Sequence, residues 1–136
     1  MYATPYLFFN GNCAEALRYY EKVLGAQVGA LMKYGDSPAA EHVPAEFKDK
    51  VIHARLHIGP TVILFSDSHM ATETKAGGYA MTLHVDTPEV ARKMFDGLAD
   101  GGTVKMAMDK TFFAAAFGQV VDRFGISWMI ICEKAV

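Results

Sequence analysis

Several residue patterns that mark special classes of protein are scarce or missing in this chain of 136 residues. Only two cysteines occur, Cys13 and Cys132, far apart and without metal-site spacing, so we expect buried, reduced thiols. Lys and Arg (13) nearly balance Asp and Glu (15) and form no basic stripe, which argues against nucleic-acid binding. No apolar run approaches the roughly 20 residues that span a bilayer, and the first residues lack the features of a signal peptide. We therefore expect a cytoplasmic protein that binds neither membrane nor nucleic acid.

The chain repeats one pattern in its two halves. Glu15 and Arg18 recur as Glu89 and Arg92, each time after an extended apolar run and before a Leu, a Gly and a further strand. A repeat with a period near half the chain indicates two copies of one supersecondary unit. We therefore predict a single domain, 1–136, built of two modules at about 1–68 and 76–136.

Hydrophobic periodicity and turn residues predict one strand, one helix and three strands in each half. In the first half, Asn12 is expected to cap the helix in a capping box with Glu15, and Gly25 to end it. In the second half, Thr87 is the expected cap, with Pro88 at the first helical position. The predicted strands are Tyr2–Phe9, Gln27–Lys33, Val51–Ile58, Thr61–Phe65, Tyr79–Val85, Thr103–Met108, Phe112–Val121 and Ser127–Cys132.

Two longer segments are predicted to be loops. Tyr34–Lys50 reads as a surface loop, and Asp67–Gly78, which includes His69, reads as a polar linker between the halves. The predicted fold class is α+β, with two paired βαβββ modules that form a cup-shaped mixed β-sheet and carry their helices outside.

A set of short sequence motifs, which we call phrases, occurs in a fixed order along nearly the whole chain. These phrases are Pro5–Asn12, Ile52–Ala54, Ser66–Asp67, Thr111–Phe113 and Phe117–Ile130. Together they resemble the PhnB-like branch of the vicinal oxygen chelate (VOC) superfamily, the fold of glyoxalase I, bleomycin-resistance proteins and extradiol dioxygenases. The resemblance implies the cup-shaped fold, a small-molecule ligand and a homodimer.

Metal-using members of this superfamily hold a divalent ion with four side chains, His, Gln or Glu, one from each of four strands. Carried over by position, these sites fall at Pro5, Leu64, Ala80 and Met129, none of which offers a carboxylate or an imidazole. A slip of one residue brings in only apolar side chains and one tyrosine. The resemblance therefore implies the fold without its metal site, and we expect no metal and no other cofactor.

Two further departures limit what the resemblance implies. Ala114–Ala116 stands where much of the branch carries a charged pair, so no role of that pair is expected here. The branch has also been labelled a ubiquinone methyltransferase, yet no Gly-rich loop leads from a strand into a helix, as a nucleotide-like cofactor would need.

Seven residues are the candidates for ligand binding: His53, Phe9, Asp67, Thr82, His84, Phe113 and Trp128. His53 lies in a family phrase, and its alternative role is that of a hydrogen-bonded structural histidine. Asp67 is suited to orienting a histidine or a ligand, or to forming a turn. Strand parity places Thr82 and His84 on one face. The aromatic candidates suit a pocket wall or an ordinary core.

Three classes of function stay open on the sequence. The first is a metal-free module that binds a small molecule of unknown identity. The second is a glyoxalase- or dioxygenase-type enzyme with a non-standard metal set, for which His53, Asp67, His84 and Glu133 are available. The third is a dimeric interaction protein with a filled cup. Cys13, at the start of a helix, is either a thiol of lowered pKa or an inert packed one.

Overall fold

The computed structural model describes residues 1–68 and 77–134. The chain divides into two compact units, Met1–Thr74 and Lys75–Val136. Each unit has the element order strand, helix and three strands, which confirms the predicted α+β class. His69 and most of the predicted linker lie outside the described residues.

The first unit contains a four-stranded mixed sheet and one helix. Along the sheet the strand order is β1-β4-β3-β2, with β1 parallel to β4 and the other pairs antiparallel. The elements are β1 (Tyr6–Phe9), α1 (Cys13–Leu24), β2 (Gln27–Lys33), β3 (Val51–Ile58) and β4 (Thr61–Asp67). The predicted bounds of β2 and β3 are confirmed, whereas β1 begins four residues later than predicted and β4 ends two residues later.

Helix α1 packs on one face of this sheet. The ring of Tyr20 on α1 lies 5.9 Å from that of Phe65, and Phe9 stacks on Phe65 at 5.3 Å between ring centroids. Leu7 pairs with Phe65 in the parallel ladder and is buried on the same face. Because side chains alternate along a strand, Tyr6 projects from the face that α1 does not cover.

The Tyr34–Lys50 segment is more structured than the predicted surface loop. It contains three single turns of 3-10 helix: Tyr34–Asp36, Ala40–His42 and Ala45–Phe47. Tyr34 is buried, and its hydroxyl donates to the backbone carbonyl of Asp67 at 2.6 Å. Ser37 is buried too, and it donates to the Tyr34 carbonyl at 2.7 Å. The segment is therefore anchored to the end of β4.

The second unit repeats the first with the strand order β5-β8-β7-β6, where β5 runs parallel to β8. Its elements are β5 (Met81–His84), α2 (Pro88–Ala99), β6 (Thr103–Asp109), β7 (Ala114–Val121) and β8 (Ser127–Glu133). A Cβ at Gly118 would come within 2.8 Å of the Phe95 ring on α2. The absence of a side chain at Gly118 thus lets the helix lie close to the sheet.

Of the two predicted N-terminal helix caps, the structure contains one. Thr87 caps α2 as predicted, since its hydroxyl accepts from the Val90 N–H at 3.2 Å. The predicted capping box of α1 is wrong, because Asn12 makes no side-chain capping bond. Gly25 ends α1 as predicted, in the left-handed conformation at φ 66°.

Each α-helix in the described ranges has 12 residues. None of the helices in those ranges has the length and apolar character that crossing a membrane requires.

Candidate functional site

The face of the first sheet opposite α1 carries a group of aromatic and polar side chains. Tyr6 and Phe8 stack on each other with ring centroids 4.8 Å apart, although they are 37% and 52% exposed. The Tyr6 hydroxyl is 2.9 Å from Nδ1 of His53, which is half-buried on β3. We call Tyr6, Phe8, His53 and Ser66 the open face of the first sheet. It combines ring surfaces with polar atoms, which suits recognition of a flat ligand.

Ser66 lies on the strand between those of Tyr6 and His53. This strand is β4, and Ser66 is paired there with Phe8 in the ladder. Burial raises the pKa of Tyr6, and a hydrogen bond with the Ser66 side chain opposes that rise.

Asp67 lies at the end of the same strand but points into the protein. It is 0% exposed. Its Oδ1 accepts from the N–H groups of Gly11 and Cys13, each at 2.9 Å, and its Oδ2 accepts from that of Val51 at 3.0 Å. The Asp67 carboxylate, at the end of β4, therefore connects the start of α1 with the start of β3. All three of these hydrogen bonds come from backbone N–H groups.

The Asp122 carboxylate accepts a comparable set of hydrogen bonds in the second unit. Its Oδ1 accepts from the N–H groups of Phe124 and Ile126 at 2.9 and 3.0 Å, and its Oδ2 accepts from Trp128 Nε1 at 2.8 Å. Trp128 is 1% exposed and pairs with Met81 in the ladder. The structure thus places Trp128 in the core of the second unit, hydrogen-bonded to a turn.

Phe9 has a similar position in the first unit. It is 1% exposed and stacks on Phe65 beneath α1. Since Phe65 pairs with Ala54, the neighbouring His53 projects from the opposite face. The structure therefore does not bring Phe9 and His53 together on one face.

Thr82 and His84 are exposed on one face of β5, as parity predicts. Thr82 pairs with Met129 and His84 with Ile131. His84 also lines a depression of about 260 Å³ at the end of β5 and β8. The other residues that line this depression are Val85, Asp86, Ile131 and Glu133.

Phe113 precedes β7 and is partly exposed. Its ring makes edge contacts with Phe112 and with Phe117, each at 5.1 Å between centroids. Phe112 is almost fully exposed and Phe117 is buried. The three rings form a second aromatic patch, in the other unit.

The structure also bears on the family metal positions. Leu64 pairs with Tyr6 in the first sheet, and Met129 pairs with Thr82 in the second. The hydrocarbon side chain of Leu64 and the thioether of Met129 do not fit a divalent ion that prefers oxygen or nitrogen ligands. Within residues 1–68 and 77–134, no three His, Cys, Asp or Glu side chains are grouped so as to hold a metal ion.

Cys13 is not an activated thiol. It is fully buried at the start of α1, and that burial raises the pKa of its thiol, with the nearby Asp67 carboxylate raising it further. The alternative of a lowered pKa is therefore wrong. Cys132 is buried as well, and both cysteines are free, as predicted.

Comparison with known proteins agrees with the architecture of the two units. The family model of the Glyoxalase/Bleomycin resistance protein/Dioxygenase superfamily matches residues 4–130. The chain belongs to this superfamily. Protein YjdN of Escherichia coli (strain K12) is 36% identical over 139 residues, which cover 96% of this chain and 95% of that protein. The resemblance that the ordered phrases indicated is thereby confirmed.

Two solved structures extend the comparison. Protein PA1353 from Pseudomonas aeruginosa is 43% identical, with a TM-score of 0.87 over 99% of each chain. A PhnB protein from Bacillus cereus, described as a candidate 3-demethylubiquinone-9 3-methyltransferase, is 23% identical. Its TM-score is 0.83, covering 97% of this chain and 99% of that one. At that identity the likeness concerns the fold, and a shared fold does not transfer an activity.

Sequence reasoning missed three members of the open face: Tyr6, Phe8 and Ser66. Four consecutive apolar residues, Tyr6–Phe9, give no alternation from which to assign a face. Ser66 carried a usable signal, because it is a small polar residue directly after the apolar run Val62–Phe65.

Proposed function

We propose that this protein is a small-molecule-binding member of its superfamily that works without a resident divalent metal. The observation that carries this proposal is the chemistry at the family ligand positions, where Pro5, Leu64, Ala80 and Met129 supply no suitable donor. The leading contact in the binding site is His53, whose ring lies on the open face of the first sheet beside Tyr6 and is partly accessible.

The remaining candidates have two kinds of role in this proposal. Thr82, His84 and Phe113 are accessible on the second unit and supply further contacts. Phe9, Asp67 and Trp128 lie behind the contact surfaces and hold the strands in place; this follows from their burial and hydrogen bonding. We also propose that the two units together form one cup-shaped VOC domain, and that this domain is a cytoplasmic homodimer.

The proposal is tested by thermal-shift screening against divalent metals and a library of small aromatic metabolites. A ligand that binds only the folded state stabilises it by RT ln(1 + [L]/Kd), about 2.7 kcal/mol at a hundredfold excess over Kd. We expect hits among the metabolites and none among Zn, Ni, Mn and Fe salts. Stabilisation by a metal, with no metabolite hit, would contradict the proposal.

His53→Ala then locates the site. Losing a buried hydrogen-bond partner of a ligand costs about 1–3 kcal/mol of binding free energy. His57→Ala is the matched control, because His57 lies on the same strand, four residues on, and is also half-buried. We expect the first variant to fold and to bind a hit more weakly, and the second to bind it normally. Equal affinities would remove His53 from the site.

One observation favours a second candidate function, a metal-dependent enzyme of the glyoxalase or dioxygenase kind. His84, Asp86 and Glu133 line one depression, although within residues 1–68 and 77–134 these side chains are not grouped closely enough to hold a metal ion as they stand. Against it, both oxygens of Asp67, a member of the non-standard ligand set, already accept backbone hydrogen bonds. Isothermal titration of Mn²⁺ and Ni²⁺ into the protein and into Glu133→Gln distinguishes the two candidates. The enzyme candidate requires binding that the substitution abolishes.

A further inference from the structure

Strand β3 carries three basic side chains at alternate positions, His53, Arg55 and His57. Ala54, between the first two, is buried and pairs with Phe65, whose ring packs against α1. Because side chains alternate along a strand, the three basic side chains project from the face that α1 does not cover. They therefore lie on the same side of the sheet as the open face.

Within residues 1–68, the four strands of the first sheet contribute no carboxylate to this side. Asp67 is the one acidic residue in those strands. It lies two positions after Phe65, and so on the side of α1, where its oxygens accept from backbone N–H groups. A surface with basic groups and without acidic ones attracts anions. The strands therefore favour a negatively charged ligand on the uncovered side.

Arg55 stands in one row with Tyr6. It pairs with Leu64 on β4, and Leu64 pairs with Tyr6 on β1, so the three residues follow one another across the sheet. Paired residues on neighbouring antiparallel strands have Cβ atoms about 4.5–5.5 Å apart. Leu64 is one of the family metal positions. A permanent cation is thus placed directly beside a position that offers no metal ligand.

The Arg55 guanidinium is available to a ligand. Arg55 is exposed, and within residues 1–68 and 77–134 it makes no hydrogen bond or ion pair. Arg123, by contrast, donates to the Asp100 carbonyl at 3.0 Å. A guanidinium presents its N–H donors in a planar fork that matches the two oxygens of a carboxylate. Arg55 therefore suits a planar anion that comes from outside the chain.

His57 is directed away from the aromatic rings. A Cβ at Gly29 on β2 would come within 2.9 Å of the His57 Nε2, so the His57 ring packs against the backbone of β2. His53 is directed the other way, with its Nδ1 2.9 Å from the Tyr6 hydroxyl. Of the three basic residues, His53 and Arg55 are therefore the two in line with Tyr6.

We infer that Arg55 binds the carboxylate of an aromatic ligand whose ring lies on the open face of the first sheet. The stacked rings of Tyr6 and Phe8 on β1 supply the flat apolar surface. Two strand spacings, about 10 Å in all, separate β1 from β3, a span that a fused-ring acid and the long Arg55 side chain bridge together. This inference rests on the proposed function and deepens it by naming the ligand class, aromatic carboxylates.

The probes 2-naphthoate and 2-naphthamide test the inference, because they share the fused ring and differ in charge. At neutral pH the carboxylate is ionised. Isothermal titration calorimetry at low ionic strength should give 2-naphthoate an affinity about tenfold or more above that of 2-naphthamide, a difference of about 1.4 kcal/mol. Added salt should reduce this preference, because the charge of the exposed Arg55 is screened.

Substitutions identify the residue responsible. Arg55→Gln should remove the preference for 2-naphthoate, and Arg55→Lys should keep part of it, since the charge remains while the planar fork is lost. Arg18→Gln is the matched control, because it removes the same charge from an exposed position on α1, which covers the other face. We expect this control to bind both probes as the unmodified protein does. Phe8→Ala should weaken both probes alike, because both use the ring surface.

Backbone amide NMR locates the binding site without any variant, so this measurement remains decisive even if Arg55→Gln does not fold. We expect 2-naphthoate to shift the amide signals of β1, β3 and β4 and to leave those of α1 unchanged. Shifts confined to α1 or to the second unit would overturn the inference.

Three binding results would also overturn it. The first is equal affinity for the two probes, or no binding of 2-naphthoate. The second is a preference for 2-naphthoate that survives in Arg55→Gln. The third is inorganic phosphate that binds as tightly as 2-naphthoate, since the ring would then contribute nothing. The proposed function fails separately, when no metabolite of the thermal-shift screen binds. Neutral hits in that screen, together with equal binding of the two probes, would overturn the ligand class alone.

Discussion

Replacing Asp67 with asparagine tests whether this buried carboxylate holds the backbone or serves a ligand. The amide oxygen can still accept from Gly11 and Cys13, which share Oδ1 in the structure. The amide nitrogen, however, then faces the Val51 N–H at the 3.0 Å distance now spanned by a hydrogen bond. Two donors oppose each other there, and one buried N–H loses its partner.

The expected loss follows from those contacts. A hydrogen bond to a charged group contributes about 1.5–3 kcal/mol, and an unsatisfied buried donor costs about 1–3 kcal/mol. Because the two terms overlap, we expect Asp67→Asn to lower the free energy of unfolding by about 2–4 kcal/mol, a large part of the 5–15 kcal/mol that is typical of native proteins.

Urea denaturation followed by circular dichroism measures this change as a lower midpoint at constant slope. Asp109→Asn is the control, because Asp109 is exposed and its carboxylate accepts from the N–H of the next residue. That variant should stay within about 0.5 kcal/mol of the unmodified protein. A loss below about 1 kcal/mol for Asp67→Asn would refute the structural role.

Three further perturbations test the packing, the helix start and the buried thiol. Gly118→Ala places a methyl group against the Phe95 ring of α2 and should lower the free energy of unfolding by about 1–3 kcal/mol. Gly77→Ala is the control, because its methyl group meets no atom within 4 Å, and it should be nearly neutral in urea denaturation. Thr87→Ala should lower the unfolding free energy by about 1 kcal/mol through loss of the cap, and Asn12→Ala should not, because Asn12 makes no capping bond. Cys13 should resist thiol reagents at neutral pH. Its folded pKa is raised above the ordinary 9.0, so the unfolded state releases its proton first, and stability should fall as pH rises above that value.

Specific outcomes would contradict each of these expectations. Equal effects of the two glycine substitutions would show that the close approach of Phe95 on α2 does not require a glycine at position 118. Equal effects of the Thr87 and Asn12 substitutions would show that the side-chain cap does not distinguish the two helices. Rapid labelling of Cys13 in the folded protein, or a rise in stability on the alkaline side, would contradict its burial as a neutral thiol.

The parts of the fold that local pattern determines were predictable from the sequence. Strand Val51–Ile58 alternates polar and apolar residues, and its bounds were predicted correctly. The end of α1 follows from Gly25, because glycine adopts the left-handed conformation at little cost. The superfamily could be recognised too, since its phrases recur in order along nearly the whole chain.

The parts that depend on contacts between distant residues were not predictable. Asp67 receives hydrogen bonds from residues 54 and 56 positions away, and no local pattern reports such a pairing. Helix α2 buries Phe95 against Gly118 of β7, and no pattern within the helix reports that contact. The open face was missed for a similar reason. Tyr6 on β1 contacts His53 on β3 across the intervening strand β4, and this strand order depends on the fold.

Elemental analysis of the purified protein tests the central claim, metal-free small-molecule binding, most directly. The protein is expressed in medium supplemented with Zn, Ni, Mn and Fe, purified without chelator, and its metal content is measured by mass spectrometry. Because the family ligand positions carry Pro5, Leu64, Ala80 and Met129, we expect each metal to be far below the molar amount of protein. A stoichiometric ion that a chelator removes, with loss of ligand binding or activity, would contradict the account.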